Sequence, residues 1–259
     1  MSAGYEKFET LLVESEGAIR IVTMNRPEAL NAADATMHRE LAKVWSELAE
    51  DVECRVVILT GAGRAFSAGG DIPRMVATQN DPSIQDEVFA EARKTVMGMI
   101  ELPQPLIAAV NGPAVGLGAS LVSLCDLAIA SEKAFLADPH LGVGLVPADG
   151  AALLWPMMIG LMRAKEYVFT GARIPAAKAY DLGLFNEVVT PELVLPTAME
   201  LARKLAERPA RAMRDTKRLM NVHTARALVG LLDQALACEQ ASVNSVEHAE
   251  LTRKLVESK

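Results

Sequence analysis

Short apolar runs and helical patterns alternate along most of the chain. Residues 8–13 and 18–24 alternate apolar and polar side chains on either side of Glu16-Gly17, which predicts a β-hairpin. The next apolar residues recur every three or four positions, as on one face of a helix: Met37, Leu41, Val44 and Leu48. This spacing predicts an amphipathic helix over residues 34–50, with Asp34 as its N-cap.

Continuous apolar runs then predict buried strands that begin at Val56, Leu106 and Leu127. Helical segments separate these strands, which is typical of an α/β protein built from repeated ββα units. Residues 78–83 form the most loop-like stretch of this part of the chain. Strand patterns stop after Pro191, and helices are predicted over residues 198–204, 213–220 and 225–256.

Two of the strands run into turns of small residues, and these turns carry the candidate chemistry. They are VVILTGAGRAFSAGGD at residues 56–71 and PLIAAVNGPAVGLGAS at residues 105–120. Glycine lets the backbone approach a ligand closely, and the first N–H groups of a helix have no partner within it. Two such turns can place an N–H on either side of one oxygen, which is the geometry of an oxyanion hole.

Two nucleotide-binding motifs are excluded by the same residues. Leu121 stands where a dinucleotide-binding turn has its third glycine. No Lys-Ser/Thr pair follows the first turn, so that turn is not a P-loop.

The composition argues against several classes of binding partner. A formal net charge of -7 without a basic cluster argues against nucleic acid and against an anionic membrane surface. The most apolar run, AALLWPMMIGLM from Ala151, is broken by Pro156 and Gly160, so no membrane span is predicted. The opening residues MSAGYEKFET lack the pattern of a secretory signal. Cys54, Cys125 and Cys238 have no metal-ligand spacing, which predicts reduced thiols, no metal site and a cytoplasmic location.

Five ordered motifs extend over nearly the whole chain. They are MNRPEALNA at 24–32, RAFSAGGD at 64–71, VNGPAVGLGASL at 110–121, CDLAIASEKAFLADPHLGVGLVP at 125–147 and TGARIPAAKAYDLGLFNEVV at 170–189. Together they resemble the enoyl-CoA hydratase/isomerase (crotonase) superfamily. The resemblance implies an α/β fold, with a spiral of ββα repeats as a core over residues 1–190. It also implies a C-terminal helical trimerisation region over residues 191–259, and a homotrimer or dimer of trimers.

The resemblance further implies an acyl-CoA substrate and no cofactor beyond the coenzyme A of that substrate. By alignment of the motifs, the backbone N–H groups of Ala68 and Leu117 would hold the thioester oxygen as an enolate or a tetrahedral oxyanion. The rest of the substrate would lie along residues in or next to the same turns and the first motif. These are Ala29, Ala32, Ala65, Gly69, Gly70, Asp71, Ile72 and Gly116.

The acid/base residues depart from the resembled hydratases, in which two glutamates face one water. Ser120 and His140 stand at those two positions. His140 can act as a base near neutral pH, and Asp149 is expected to orient it, with Ser120 within reach. The superfamily's β-diketone hydrolases use such a His and Asp, and an acid from the C-terminal helices, for which Glu239 is the candidate. They also carry a further His at about the position of Leu117.

The resemblance implies a lyase or isomerase, and three alternatives stay open. The His140/Asp149 pair also fits hydrolysis of a C–C bond (β-diketone type) or of a thioester. A relative without an acid/base pair would bind acyl-CoA and catalyse nothing. A Clp-type serine protease has the same fold and would use Ser120 or Ser67, although no GxSxG elbow is present. The remaining histidines are expected at the surface: His38, His223 and His248.

Overall fold

Two β-sheets, one large and one small, form the frame of the chain, whose computed structural model describes residues 8–79, 81–228 and 230–257. The strands are β1 (Leu11–Glu16), β2 (Ile19–Met24), β3 (Val56–Gly61), β4 (Leu106–Val110), β5 (Ala114–Val115), β6 (Leu127–Ser131), β7 (Phe135–Ala137), β8 (Ile174–Pro175) and β9 (Glu187–Val189). The helices are α1 (Ala35–Glu50), α2 (Ile72–Thr78), α3 (Pro82–Glu101), α4 (Leu117–Leu124), α5 (Ala151–Ile159), α6 (Leu161–Thr170), α7 (Ala176–Asp181), α8 (Val194–Ala206), α9 (Ala210–Leu228), α10 (Leu231–Val243) and α11 (Val246–Glu257).

The order of the strands shows the repeat. The large sheet runs β1-β2-β3-β4-β6-β9, and all its pairs are parallel except the β1–β2 hairpin. The small sheet runs β5-β7-β8. Strands β4 and β6 of the large sheet are each followed by a strand of the small sheet and then by a helix. The predicted α/β architecture of ββα repeats is confirmed.

Both faces of the large sheet are covered, which explains why its central strands are apolar throughout. Val57 and Leu59 of β3 face the main core. Val56 and Ile58 face the opposite side and pack against α8, for example against Ala202. The sheet is therefore a rigid support, and the turns that leave its strands are held in place by it.

The first predicted elements are confirmed with shifted bounds. The hairpin turns one residue later than expected, at Gly17-Ala18, because Glu14, Ser15 and Glu16 pair with β2. Helix α1 begins as predicted, with the Asp34 carboxylate accepting the Met37 N–H at 2.9 Å. The predicted loop at 78–83 is shorter than expected, since α2 includes Thr78 and α3 begins at Pro82; residue 80 lies outside the described residues, as do residues 1–7.

The C-terminal part is helical after β9, as predicted, but the prediction of one long final helix is wrong. The described residues of the range 225–256 fall into three helices, α9, α10 and α11, and residue 229 lies outside the described residues. Gly230 adopts a left-handed φ of 80° before α10, and a further break at residues 244–245 separates α10 from α11. These breaks let α11 fold back onto α2 and onto the short turn His140–Val143. The division at residue 190 and the trimer stay predictions.

Among the described residues, none of the helices combines the length and the apolar character that crossing a bilayer requires.

Candidate active site

The two glycine-rich turns meet, as their positions after β3 and β4 require. Gly69 has a left-handed φ of 92°, and a Cβ at this position would lie 2.7 Å from the carbonyl oxygen of Val115. It would also lie 3.6 Å from Cα of Gly116. Because the backbones are in contact here, only glycine fits at position 69. One ligand atom can therefore reach both turns.

The expected hydrogen-bond donor in the first turn is wrong. The N–H of Ala68 donates to the carbonyl oxygen of Leu30 at 2.9 Å and is not available to a ligand. Leu30 and Asn31 have left-handed φ values of 53° and 56°, and this loop brings the Leu30 carbonyl to the turn. The sequence cannot show this contact, because it joins segments almost forty residues apart in the chain.

The N–H two residues further on is available instead. Gly69 donates to Oγ of Ser67 at 3.1 Å, whereas the N–H of Gly70 has no acceptor among the described residues. In the second turn, the N–H of Leu117 likewise has none within the described chain, because Leu117 is the first residue of α4. Gly70 and Leu117 therefore provide the free pair of donors.

Two cavities meet at these donors. The first, which we call the loop cavity, has a volume of about 340 Å³ and runs along the loops before α2. The second, the polar cavity, has a volume of about 110 Å³ and lies between helices α1–α3 and the C-terminal helices. Gly70 and His140 line both cavities, and Leu117 lines the polar cavity. A ligand that occupies both would pass the free N–H groups.

The residues expected to bind substrate lie mostly in the loop cavity. Its lining includes Ala29, Ala32, Gly69, Gly70, Asp71, Ile72 and Gly116. The prediction that Ala65 binds substrate is wrong. Ala65 is buried and lines neither cavity, and its carbonyl oxygen accepts hydrogen bonds from Asn31 and Asn111.

His140 is held by a carboxylate that the sequence interpretation missed. Its Nδ1 lies 2.6 Å from Oδ1 of Asp138, and the expected pairing with Asp149 is wrong. Asp149 instead accepts a hydrogen bond from Oγ of Ser120 at 2.8 Å. Both pairs border the same space, since His140 and Asp149 line the polar cavity. Asp138 stands two residues before His140, a spacing that favours such a local contact.

The charges around His140 favour its protonated form. Burial alone would lower its pKa, but the hydrogen bond and charge of Asp138 outweigh burial. With smaller contributions from Asp149 and Glu239, they raise the pKa of His140 to about 10. The surroundings of His140 therefore favour the imidazolium, the form that donates a proton, over the neutral ring that would act as a base.

Glu239 reaches the polar cavity from α10, so the C-terminal helices complete the site. Burial, assisted by the nearby Asp149 and Asp138 carboxylates, raises its pKa to about 8, although His140 opposes the shift. Glu239 is therefore a neutral acid near pH 7, which suits a proton donor.

Two histidines that were expected at the surface also line the polar cavity. His248 is 1% exposed, and its Nδ1 lies 2.6 Å from the carbonyl oxygen of Val143. His38 lies 2.8 Å from Oε2 of Glu91. The sequences of α1 and α11 do not indicate that these histidines face the cavity, because their position depends on how the two helices pack against the rest of the chain. His223 is exposed, as expected.

Within the described ranges, no three His, Cys, Asp or Glu side chains are grouped so that they can hold a metal ion.

Comparison with known proteins places this site in a family. The model of the family described as enoyl-CoA hydratase/isomerase matches residues 14–257. The short-chain-enoyl-CoA hydratase of Clostridium acetobutylicum is 36% identical over 235 residues, which cover 90% of this chain and 87% of that protein.

Solved structures agree with this match. An enoyl-CoA hydratase/isomerase from Mycobacterium paratuberculosis has a TM-score of 0.93 and 43% identity, covering 96% of this chain and 99% of that one. A β-diketone hydrolase from the cyanobacterium Anabaena, bound to (S)-3-oxocyclohexyl acetic acid, has a TM-score of 0.86 and 32% identity, covering 93% of this chain and 96% of that one. The chain thus has the crotonase fold and belongs to the enoyl-CoA hydratase/isomerase family of enzymes.

Proposed function

We propose that this enzyme transforms an acyl-CoA thioester by holding its carbonyl oxygen between the N–H groups of Gly70 and Leu117. The observation that carries this proposal is that two unpartnered N–H groups lie where the two cavities meet. Donors that are fixed in advance stabilise the negative charge of an enolate or a tetrahedral oxyanion more than they stabilise the neutral carbonyl. Each is worth about 3–4 kcal/mol of transition-state stabilisation.

The cavities divide the substrate between them. The loop cavity has the volume and the small side chains to accept the extended pantetheine arm. The polar cavity takes the acyl group, which then lies beside His140, Asp149 and Glu239. This position is where proton transfer to or from the acyl carbons takes place.

The protonation states of the side chains around the polar cavity suggest which of them donate a proton and which accepts one. His140 and Glu239 carry protons near pH 7 and act as donors, because the pKa of each is raised. Asp149 is the carboxylate that accepts a proton, and the Ser120 hydroxyl holds it in place through the 2.8 Å hydrogen bond. This set replaces the two glutamates of the hydratases. The proposed reaction is accordingly a family reaction other than fast hydration.

Hydrolysis of a C–C bond or of the thioester is the second candidate. The similarity to the Anabaena β-diketone hydrolase favours it, together with the grouping of His140, Asp149 and Glu239 around one cavity. In that reaction water would add to the carbonyl carbon and the same two N–H groups would hold the resulting oxyanion.

Product analysis separates the candidates. The protein is incubated with crotonyl-CoA and, separately, with a cyclic 1,3-diketone, and the products are identified by chromatography and mass spectrometry. Conversion of an acyl-CoA, with hydration at least about a hundredfold slower than in a hydratase that has both glutamates, supports the first proposal. Ring opening of the diketone supports the second. Saturable acyl-CoA binding without conversion of any thioester or of the diketone would mean a binding protein and would contradict both.

A further inference from the structure

A buried histidine on the last helix has one ring nitrogen without a partner. His248 is 1% exposed and lines the polar cavity. Its Nδ1 lies 2.6 Å from the carbonyl oxygen of Val143, whereas its Nε2 makes no hydrogen bond within the described residues. Nε2 is also not one of the described unpartnered atoms that are shielded from solvent, so the small exposed surface of the ring includes it. This nitrogen therefore opens into the cavity.

The partner of Nδ1 determines what Nε2 can do. A carbonyl oxygen only accepts hydrogen bonds, so Nδ1 of His248 carries a proton in its contact with Val143. In the neutral ring the other nitrogen then has no proton, and Nε2 presents a lone pair to the cavity. His140 differs, because the Asp138 carboxylate at its Nδ1 stabilises the charged ring, in which Nε2 is a donor. His248 is thus suited to accept a hydrogen bond.

The backbone of His248 is held from several sides. His248 is the third residue of α11, and its N–H donates to Oγ of Ser245 at 3.1 Å, which caps the helix. A Cβ on Gly144 would lie 3.1 Å from both N and Cα of His248, so the two segments are in contact. Oγ1 of Thr252 donates to the carbonyl oxygen of His248 at 2.7 Å, and Nε2 of Gln79 donates to that hydroxyl at 2.5 Å. An acceptor that is fixed in this way is pre-organised for a ligand.

His248 and Glu239 reach the cavity at different places. Glu239 and Val243 both line it from α10 and are four residues apart, about 6 Å along the helix axis. His248 follows on α11, beyond the break at residues 244–245. The proposed function places the carbons that exchange protons beside Glu239 and His140. The part of the acyl group that meets His248 therefore lies beyond those carbons.

The cavity wall supplies no donor for this nitrogen. Thr78 is the one hydroxyl side chain among the described residues that line the polar cavity, and its Oγ1 donates to the carbonyl oxygen of Arg74 at 2.8 Å. Buried polar atoms in native proteins are almost always hydrogen bonded. The unpartnered Nε2 of His248 therefore points to a donor on a molecule that enters the cavity.

We propose that Nε2 of His248 accepts a hydrogen bond from a hydroxyl group of the substrate, so that the substrate class is a short-chain acyl-CoA with a hydroxyl group on its γ-carbon or beyond. This inference rests on the proposed function, which places the acyl group in the polar cavity. A site built to bind a hydroxyl group rejects the analogue that lacks it, because the buried acceptor is then left unpaired. The cavity volume of about 110 Å³ limits the acyl chain to a few carbons, since about 150 Å³ holds a benzene molecule.

Calorimetric titration with a matched pair of ligands tests this. The CoA thioester of trans-4-hydroxybut-2-enoic acid and crotonyl-CoA differ by one hydroxyl group, which lies on the γ-carbon. The trans double bond prevents the hydroxylated ligand from closing to a lactone. The wild-type protein should bind the hydroxylated ligand about tenfold tighter than crotonyl-CoA, which corresponds to one well-formed hydrogen bond.

Two substitutions at His248 distinguish recognition of the hydroxyl group from a purely structural role. In His248→Asn, the side-chain amide can still donate to the Val143 carbonyl oxygen, but no atom occupies the position of Nε2. In His248→Gln, the longer amide reaches that position and loses the Val143 contact. His248→Asn should abolish the preference and His248→Gln should keep part of it, whereas a structural role predicts the reverse order of damage. His223→Asn is the control, since His223 is exposed and lies outside the polar cavity.

The outcomes separate this inference from the proposed function. Equal affinity of the wild-type protein for the two ligands, or an unchanged ratio in His248→Asn, would overturn the hydroxyl site alone. Failure of both ligands to bind to the wild type would overturn the proposed acyl-CoA function and this inference with it. If His248→Asn binds neither ligand, NMR of the wild-type ring decides. The nitrogen resonance of Nε2 should then move with the hydroxylated ligand and not with crotonyl-CoA, and equal shifts would overturn the site.

Discussion

Nδ1 of His140 lies 2.6 Å from Oδ1 of Asp138, and the same oxygen accepts the backbone N–H of His140 at 3.2 Å. Asp138 is 1% exposed, and its Oδ2 has no donor in the part of the chain that the structure describes. This local contact occupies one ring nitrogen, so Nε2 is the atom of His140 that is left for a ligand in the cavity. The contact also raises the pKa of the ring.

Asp138→Asn should lower the pKa of His140 from about 10 to near or below its ordinary value, since the charge of the carboxylate is lost while burial remains. Turnover should fall at least about tenfold, because the imidazolium is no longer maintained at neutral pH. NMR titration of the ring measures the pKa. Asp149→Asn serves as the comparison and should lower the pKa of His140 less, since Asp149 acts on the ring by charge alone. An unchanged pKa in Asp138→Asn would contradict the assignment.

Stability should fall as pH rises above neutrality. The folded-state pKa values of Glu239, about 8, and of His140, about 10, are both raised above the ordinary values of 4.5 and 6.5. A raised pKa gives stability that is fully present below the unfolded value and is lost as pH rises through the folded value. The free energy of unfolding should therefore decrease from about pH 5 to about pH 10.

Urea unfolding across that range measures this decrease. Glu239→Gln should flatten the part of the curve below about pH 8, because an amide does not titrate. Glu250→Gln, at an exposed position on the neighbouring helix, should leave the curve unchanged. A wild-type stability that rises steadily from pH 5 to pH 9 would be inconsistent with both pKa assignments.

Gly69→Ala should destabilise the protein and abolish turnover, and Gly183→Ala is its matched control. Both glycines have a left-handed φ, of 92° and 82°, so alanine at either costs about 1–2 kcal/mol in backbone strain. Only at Gly69 does the new Cβ meet another backbone, 2.7 Å from the Val115 oxygen, while Gly183 has open space. Thermal unfolding and turnover of the two variants should differ clearly. Equal effects would mean that the two turns are not in contact.

Much of this architecture follows from the sequence, and the errors have a common physical cause. The strands β3 and β4 and the Asp34 cap were predicted, because apolar runs and capping residues act over a few positions. The prediction of Ala68 as a donor was wrong because its N–H already donates to the carbonyl oxygen of Leu30, a residue distant in the sequence. His248 was placed at the surface because its burial depends on where α11 docks.

For the acid/base site, the sequence predicted which residues come together but not which of them form hydrogen bonds with each other. The positions of Ser120, His140, Asp149 and Glu239 around one space were anticipated by resemblance, and the structure brings three of them to the polar cavity with Ser120 bonded to Asp149. Their pairing was not predicted. Asp138 was missed although it is close in sequence, because a buried Asp before Pro is equally typical of a turn.

Ser120→Ala tests whether the serine is a nucleophile. If Ser120 only holds Asp149 through its hydrogen bond, the variant should keep turnover within about a hundredfold of the wild type, because one hydrogen bond to a charged group contributes about 1.5–3 kcal/mol. An acyl-enzyme requires the hydroxyl, so a serine nucleophile predicts complete loss. Single-turnover assays with mass spectrometry of the intact protein distinguish the two. Detection of an acylated Ser120 would contradict the assigned role.

The central claim is that the N–H groups of Gly70 and Leu117 hold the thioester oxygen, and Leu117→Pro tests it most directly. Leu117 is the first residue of α4, a position that proline tolerates well, and the preceding Gly116 is permissive. The change removes the N–H and leaves the helix in place, while Leu117→Ala removes the side chain and keeps the N–H. Turnover of the best acyl-CoA substrate should fall about 10²–10³-fold in Leu117→Pro relative to Leu117→Ala, with little change in ligand affinity. Equal turnover in the two variants would contradict the claim.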